Sequence, residues 1–102
     1  MLELKPNCEC CDKDLPPEST EAMICSFECT FCEDCVEHIL ENVCPNCGGG
    51  LTPRPIRPKL ARRIGVSFAE RPASKNRVVT NYTIEEIKSF AASVKHIKPQ
   101  ER

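Results

Sequence analysis

Val36, Ile39, Leu40 and Val43 recur at i, i+3, i+4 and i+7, the spacing that lines one face of a helix. Glu33 and Asp34 stand just ahead of them, where a helix start favours negative charge. A short helix is therefore predicted from residues 32–33 to 41–42. A longer stripe follows downstream: Ile84, Ile87, Phe90, Ala91, Val94 and Ile97. Thr83 precedes it as an N-cap with Glu86 three residues on, a capping box. The prediction is an amphipathic helix over 84–97, whose apolar face needs a surface: the amino-terminal module, a second copy or a partner. Elsewhere the pattern loses its period. Residues 13–22, KDLPPESTEA, read as a loop bent at Pro16 and Pro17, and residues 77–82, RVVTNY, as a short strand. After Gly48, Gly49 and Gly50 comes LTPRPIRPK, where Pro53, Pro55 and Pro58 deny the chain regular hydrogen bonding. That stretch is expected to be an extended spacer near polyproline II, its formal PxxP included.

A boundary near residue 50 divides the chain into a unit at 1–50, a basic proline-containing linker at 51–82, and a helix with its tail at 83–102. Sizeable apolar residues in the first unit are few, too few for a self-sufficient core. The chain carries nine cysteines in 102 residues, all of them upstream of the glycines. Sulfur must cross-link this unit. The start, MLELKPNCEC, has no basic segment leading into an apolar run. Nor does any stretch approach the roughly 20 apolar residues of a membrane span. A cytoplasmic location without membrane attachment is the expectation. In a reducing compartment disulfides are disfavoured, and nine thiols cannot all pair within one chain. Metal is the better reading.

With Cys10 set aside, the cysteines form four pairs: Cys8 and Cys11, Cys25 and Cys29, Cys32 and Cys35, Cys44 and Cys47. Three have the two-residue spacing that lets one tight turn aim two sulfurs at an ion while backbone N–H groups bond the thiolates. Eight ligands make two tetrahedral sites. Zinc suits all-sulfur tetrahedra, and iron clusters usually use tighter runs followed by proline. Spacing alone leaves sequential, nested and interleaved pairings open. His38 and His96 are surplus to two filled sites. Cys10 reads as a small buried hydrophobe, with a swappable ligand or reactive thiol as the alternatives.

The order of spacings resembles the RING finger family, with Cys29 where that family usually has histidine. Phe31 directly before Cys32, Val36 directly after Cys35, and the closing CPNC at 44–47 are similar as well. The resemblance implies a small α+β fold, a metal-stabilised RING-like or treble-clef cross-brace finger with one short helix, followed by the basic linker and the C-terminal amphipathic helix. It further implies one zinc on Cys8, Cys11, Cys32 and Cys35 and a second on Cys25, Cys29, Cys44 and Cys47. In CSFECTFCEDC, residues 25–35, the two sites would then be joined mechanically, with Phe27 and Phe31 in the small core between them. Ubiquitin-ligase activity is a further implication of the family, and Cys10 and Gly48 count against it, standing where the family places a hydrophobic and a basic contact residue. The whole chain, with NCECC and RPIRPK, also resembles a bacterial family of short cysteine-rich proteins of uncharacterised function.

Charge divides as the cysteines do. Residues 1–50 hold eleven acids against Lys5 and Lys13, a balance of −9, and residues 51–102 a balance of +8. The second half is either a basic arm for an acidic partner or a tail lying on its own acidic module. No open metal site, HExxH or Ser-His-Asp set is present, so a non-enzymatic role is expected. The leading expectation is a structural zinc-binding module that serves protein interaction or scaffolding. The alternative is nucleic-acid binding through Arg54, Arg57, Lys59, Arg62 and Arg63. An acidic module and the absence of Trp count against it. Oligomeric state is left open.

Overall fold

A computed structural model describes residues 1–102. Two three-residue strands, β1 (Ala22–Ile24) and β2 (Thr30–Cys32), form an antiparallel hairpin in which Met23 faces Phe31. Every residue of β2 is buried. Between the strands the chain turns through Cys25–Cys29, with Glu28 in the left-handed region at φ 66°. A third strand, β3 (Thr52–Pro53), pairs antiparallel with the other side of β1, giving the order β2-β1-β3.

β3 corrects the expectation of a free spacer after the glycines. Leu51 is buried and Arg54 N donates to Ala22 O at 2.8 Å, so the chain docks on the sheet before it leaves. Pro53 is tolerated because it lies on an edge strand, which can dispense with one N–H.

The first predicted helix occupies its predicted place with a different winding. A single α turn, α1 (Glu33–Cys35), runs on into a π-helical turn, Val36–Leu40. Glu41 and Asn42 both donate their N–H to Val36 O and both take left-handed φ values, 50° and 60°, which ends the helix. Val36 and Leu40 are buried together. They join Leu15, Ala22, Phe31, Leu51 and Ile87 in one cluster with Cys8, Cys25, Cys32, Cys35 and Cys44. Sulfur makes up much of this core. Phe27, expected there beside Phe31, is instead 74% exposed. It sits in the tight turn with its N–H directed at Cys25 Sγ (3.4 Å), a geometry that leaves its ring outside.

The second half lies on the first. α2 (Ile84–Val94) starts at a complete capping box: Glu86 N donates to Thr83 Oγ1 at 3.1 Å and Thr83 N to Glu86 Oε1 at 3.0 Å. It packs against the π turn through buried Ile87 and Ala91. The module itself covers the centre of the apolar stripe, while Ile84 and Phe90 stay exposed. α2 ends three residues before the predicted 97, and a short 3-10 turn, Pro99–Glu101, follows.

Residues 77–82 form no strand. Asn7 bonds the backbone of Val78 on both sides, Nδ2 to Val78 O at 2.8 Å and Val78 N to Oδ1 at 3.4 Å, while Thr80 N donates to Glu9 O at 2.7 Å. A side-chain amide thus satisfies groups that a neighbouring strand would otherwise bond. The radius of gyration, 14.4 Å, is near the about 13 Å expected of a compact chain of this length.

Candidate metal centres

Three tight turns aim sulfur inward. Cys8 N donates to Lys13 O and Asp12 N to Cys8 O, both at 2.8 Å, and Asp12 is left-handed at φ 63°. The Cys44–Cys47 turn repeats the design: Cys44 N donates to Gly49 O (2.8 Å), Gly48 N to Cys44 O (2.7 Å), and Gly48 has φ 79°. In each, a left-handed residue directly after the second cysteine reverses the chain. At Cys25–Cys29 the left-handed residue is Glu28, one before the second cysteine, with Cys25 N on Cys29 O at 3.2 Å.

Backbone amides then point at the sulfurs. Cys8 Sγ accepts from Cys10 N (3.4 Å) and Cys11 N (3.5 Å), Cys32 Sγ from Cys35 N (3.5 Å), and Cys47 Sγ from Gly49 N (3.4 Å). Such contacts favour the thiolate, the form that binds metal.

Cys8, Cys11, Cys32 and Cys35 come together with all four sulfurs within 4.8 Å of one another. Cys11 Sγ and Cys32 Sγ are 3.8 Å apart. A tetrahedral ion with sulfur at about 2.3 Å needs sulfurs about 3.8 Å from each other, so the donor set fits. Cys25, Cys44 and Cys47 form the second cluster within the same limit. Cys29 flanks it, beside the Cys25 thiol and accepting from Asn46 Nδ2 at 3.4 Å. Of the three pairings left open by spacing, the interleaved one is present: the first and third pairs meet, and the second and fourth meet. All nine cysteines are free.

Crowding sets the electrostatics. Burial pushes the Cys8 thiol up to about 11 against the pull of nearby N–H groups, with Cys32 adding to the rise. Burial and then the neighbouring Cys8 drive Cys35 far up, and burial with Cys29 and Cys25 does the same at Cys44. Thiols packed this way resist ionising together unless a cation compensates them. These clusters are therefore suited to metal.

Several neighbours were not legible as site residues. Glu9, 3% exposed, accepts from Thr30 N (2.6 Å) and from Lys5 Nζ (3.2 Å), tying the first turn to β2. Burial opposes the Lys5 charge, yet the Glu9 carboxylate holds its pKa above the ordinary lysine value. Only a buried acid between cysteines marks this tie, and sequence cannot report burial. Cys10 is half-buried, its thiol beside Cys35 and raised by burial. His38 lies on the surface, its Nδ1 3.1 Å from an Asp34 carboxylate oxygen, and His96 is exposed.

No helix is long and apolar enough to cross a membrane. A family model described as a protein of unknown function, DUF1272, matches residues 1–57. An uncharacterised protein of Rhizobium meliloti (strain 1021) is 67% identical over 58 residues, which cover 57% of this chain and 69% of the relative. No solved structure matches. The family match runs from ahead of Cys8 to just past β3 and so takes in both sulfur clusters and the sheet between them; the chain belongs to the DUF1272 family.

Proposed function

We propose that the chain is a structural module built on two zinc ions in a RING-like cross-brace, that it carries out no reaction, and that it acts through protein contacts. The interleaving of the two sulfur clusters carries this reading, because each ion would cross-link segments distant in sequence. Cys8, Cys11, Cys32 and Cys35 would hold one zinc; Cys25, Cys44 and Cys47 would hold the other with Cys29 as fourth ligand. Zinc is favoured over other divalent ions by all-thiolate donors in a tetrahedral spread. Four thiolates leave an ion no open position, which supports a structural role. Exposed Phe27 at the tip of a ligand turn offers a point of contact.

The alternative, a nucleic-acid strip along 54–63, loses its first two cations. Arg54 is buried on backbone carbonyls, and Arg57 is held by Leu2 O and Arg71 O. Eight thiolates with two divalent ions would also leave the module still more acidic than its side chains alone make it.

Elemental analysis of the purified chain, combined with thiol counting under denaturant, tests the metal reading. Two zinc ions per chain with every cysteine reduced is the expected result. A folded chain free of metal, or one containing cystines, would overturn it. For the contact role, a partner captured from a native extract should be lost with Phe27→Ala while zinc content stays at two.

A further inference from the structure

Phe27 is a knob without a socket. It stands exposed on the Cys25–Cys29 turn, which is anchored by Cys25 N on Cys29 O at 3.2 Å and by the Phe27 N–H on Cys25 Sγ at 3.4 Å. A well-held turn therefore displays a large aromatic ring to water, a cost that burial against another surface would remove. Its surroundings are negative. Glu28 adjoins it, and on the proposed reading four thiolates around one divalent ion leave excess negative charge beneath it.

A socket without a knob lies on the basic half. A cleft of about 530 Å³ is lined by Met1, Pro58, Val66 and the residues around them, and Phe27 of the same chain does not line it. Its walls are almost wholly apolar atoms, so Arg62 and Arg63 present their methylene stems to it and carry their charged heads outside. Both are exposed, and the ion pairs of the molecule, Lys5 with Glu9, Lys13 with Glu21, Arg77 with Asp12 and Asp14, and Lys95 with Glu41, involve neither. An apolar cleft with unpaired cations about its mouth suits an aromatic ring that arrives among negative charges.

The first residues of the chain connect the two features. Glu3 N donates to Glu28 Oε1 at 2.7 Å, beside Phe27, and the adjacent Leu2 O accepts from Arg57 of the cleft wall at 2.9 Å. Exposed Met1 lines the cleft and also an open hollow beside Cys25 and Glu28. Knob and socket thus flank Met1 and Leu2. A patch that carries both halves of one contact is self-complementary, and two copies related by a two-fold axis satisfy both halves at once.

We propose that this patch is a homodimer interface in which Phe27 of each copy enters the cleft of the other, with the axis passing near Met1. The inference rests on the reading of the chain as a contact module and names a second copy as its partner.

Sedimentation velocity of the metal-loaded full chain, up to about 0.5 mM, tests the interface. A monomer–dimer equilibrium is expected. Phe27→Ala and Val66→Glu should each weaken it about tenfold or more, with zinc content and helical circular dichroism unchanged. Mixing the two variants is the sharper measurement. The mixed pair keeps one intact knob facing one intact cleft, whereas either variant paired with itself keeps no such contact, so the mixture should associate more tightly than each variant alone. A chain that stays monomeric, a dimer indifferent to both substitutions, a mixture no tighter than its components, or growth beyond the dimer overturns the interface. A monomer that still captures another protein through Phe27 overturns the dimer and spares the contact role; a monomer that captures nothing overturns both.

Discussion

Arg54 stands between Pro53 and Pro55, where the sequence reads as solvated linker, yet only 4% of it is exposed. Its guanidinium donates to Lys5 O (2.9 Å), Leu15 O (3.3 Å) and Pro16 O (3.0 Å), Nε has no partner, and burial pulls its pKa down. Replacing it leaves three carbonyls without their donor. Arg54→Met is expected to cost about 3 kcal/mol in denaturant unfolding of the metal-loaded chain, and Arg54→Lys to recover little, because one ammonium cannot span three acceptors. A loss under about 0.5 kcal/mol would show that the fork is dispensable. Gly48 presents a different case. A Cβ there would meet the Phe90 ring at 3.5 Å, ordinary contact, whereas φ 79° disfavours any side chain. Gly48→Ala should therefore cost about 1–2 kcal/mol through the backbone, and Gly48→Asn less, since Asn visits this region more readily. Equal losses would point to the Phe90 contact instead. The cysteines were legible because ligand spacing is local; the exposure of Phe27 was not, because it depends on how one five-residue turn faces its neighbours.

Among the elements, α2 was the most legible. Its capping box and stripe are short-range features: the box is present as read, and the stripe is present as far as Val94, with Ile87 and Ala91 its buried residues. Thr83→Ala should cost about 1 kcal/mol. Hydrogen exchange should quicken first in the opening turn of α2, with the amides of β1 and β2 unaffected; uniform quickening would mean the cap serves the whole fold. The strands were harder. β3 is two residues long, one of them proline, and exists only because β1 offers a free edge. The stretch 77–82 has strand-forming residues, but Asn7 and Glu9 reach its backbone first. Periodicity also located the helix after Cys32 without revealing its π winding, since Val36 and Leu40 suit either turn.

For the molecule as a whole, the division into acidic and basic halves foretold that the tail could lie on its own module, and it does. The means are mixed. Arg77 reaches Asp12 and Asp14 and Lys95 reaches Glu41, all exposed pairs that salt screens. Arg54, the Asn7–Val78 bonds, Leu51, Ile87 and Ala91 are sheltered from salt. Small-angle scattering should therefore give nearly the same radius of gyration at low and high ionic strength; a marked rise would mean that surface charge alone holds the tail. Chelation should act otherwise. Ile87 of α2 shares a core cluster with Cys8, Cys32, Cys35 and Cys44, and on the proposed reading each zinc they help to hold would contribute on the order of 10 kcal/mol. Stripping metal is expected to remove the helical circular dichroism of α2 along with the module, and retention of that signal would show that the halves fold independently.

The sequence by itself determined the ligand-like sulfur pairs, the turns that present them and the capped C-terminal helix, because each follows from residues within a few positions of one another. Only the tertiary structure decided which pairs meet, where the helix finds its apolar partner, and that Arg54 goes inside while Phe27 stays out. Those outcomes depend on the relative placement of distant segments, and pairing, burial and charge compensation exist only once the chain has brought them together.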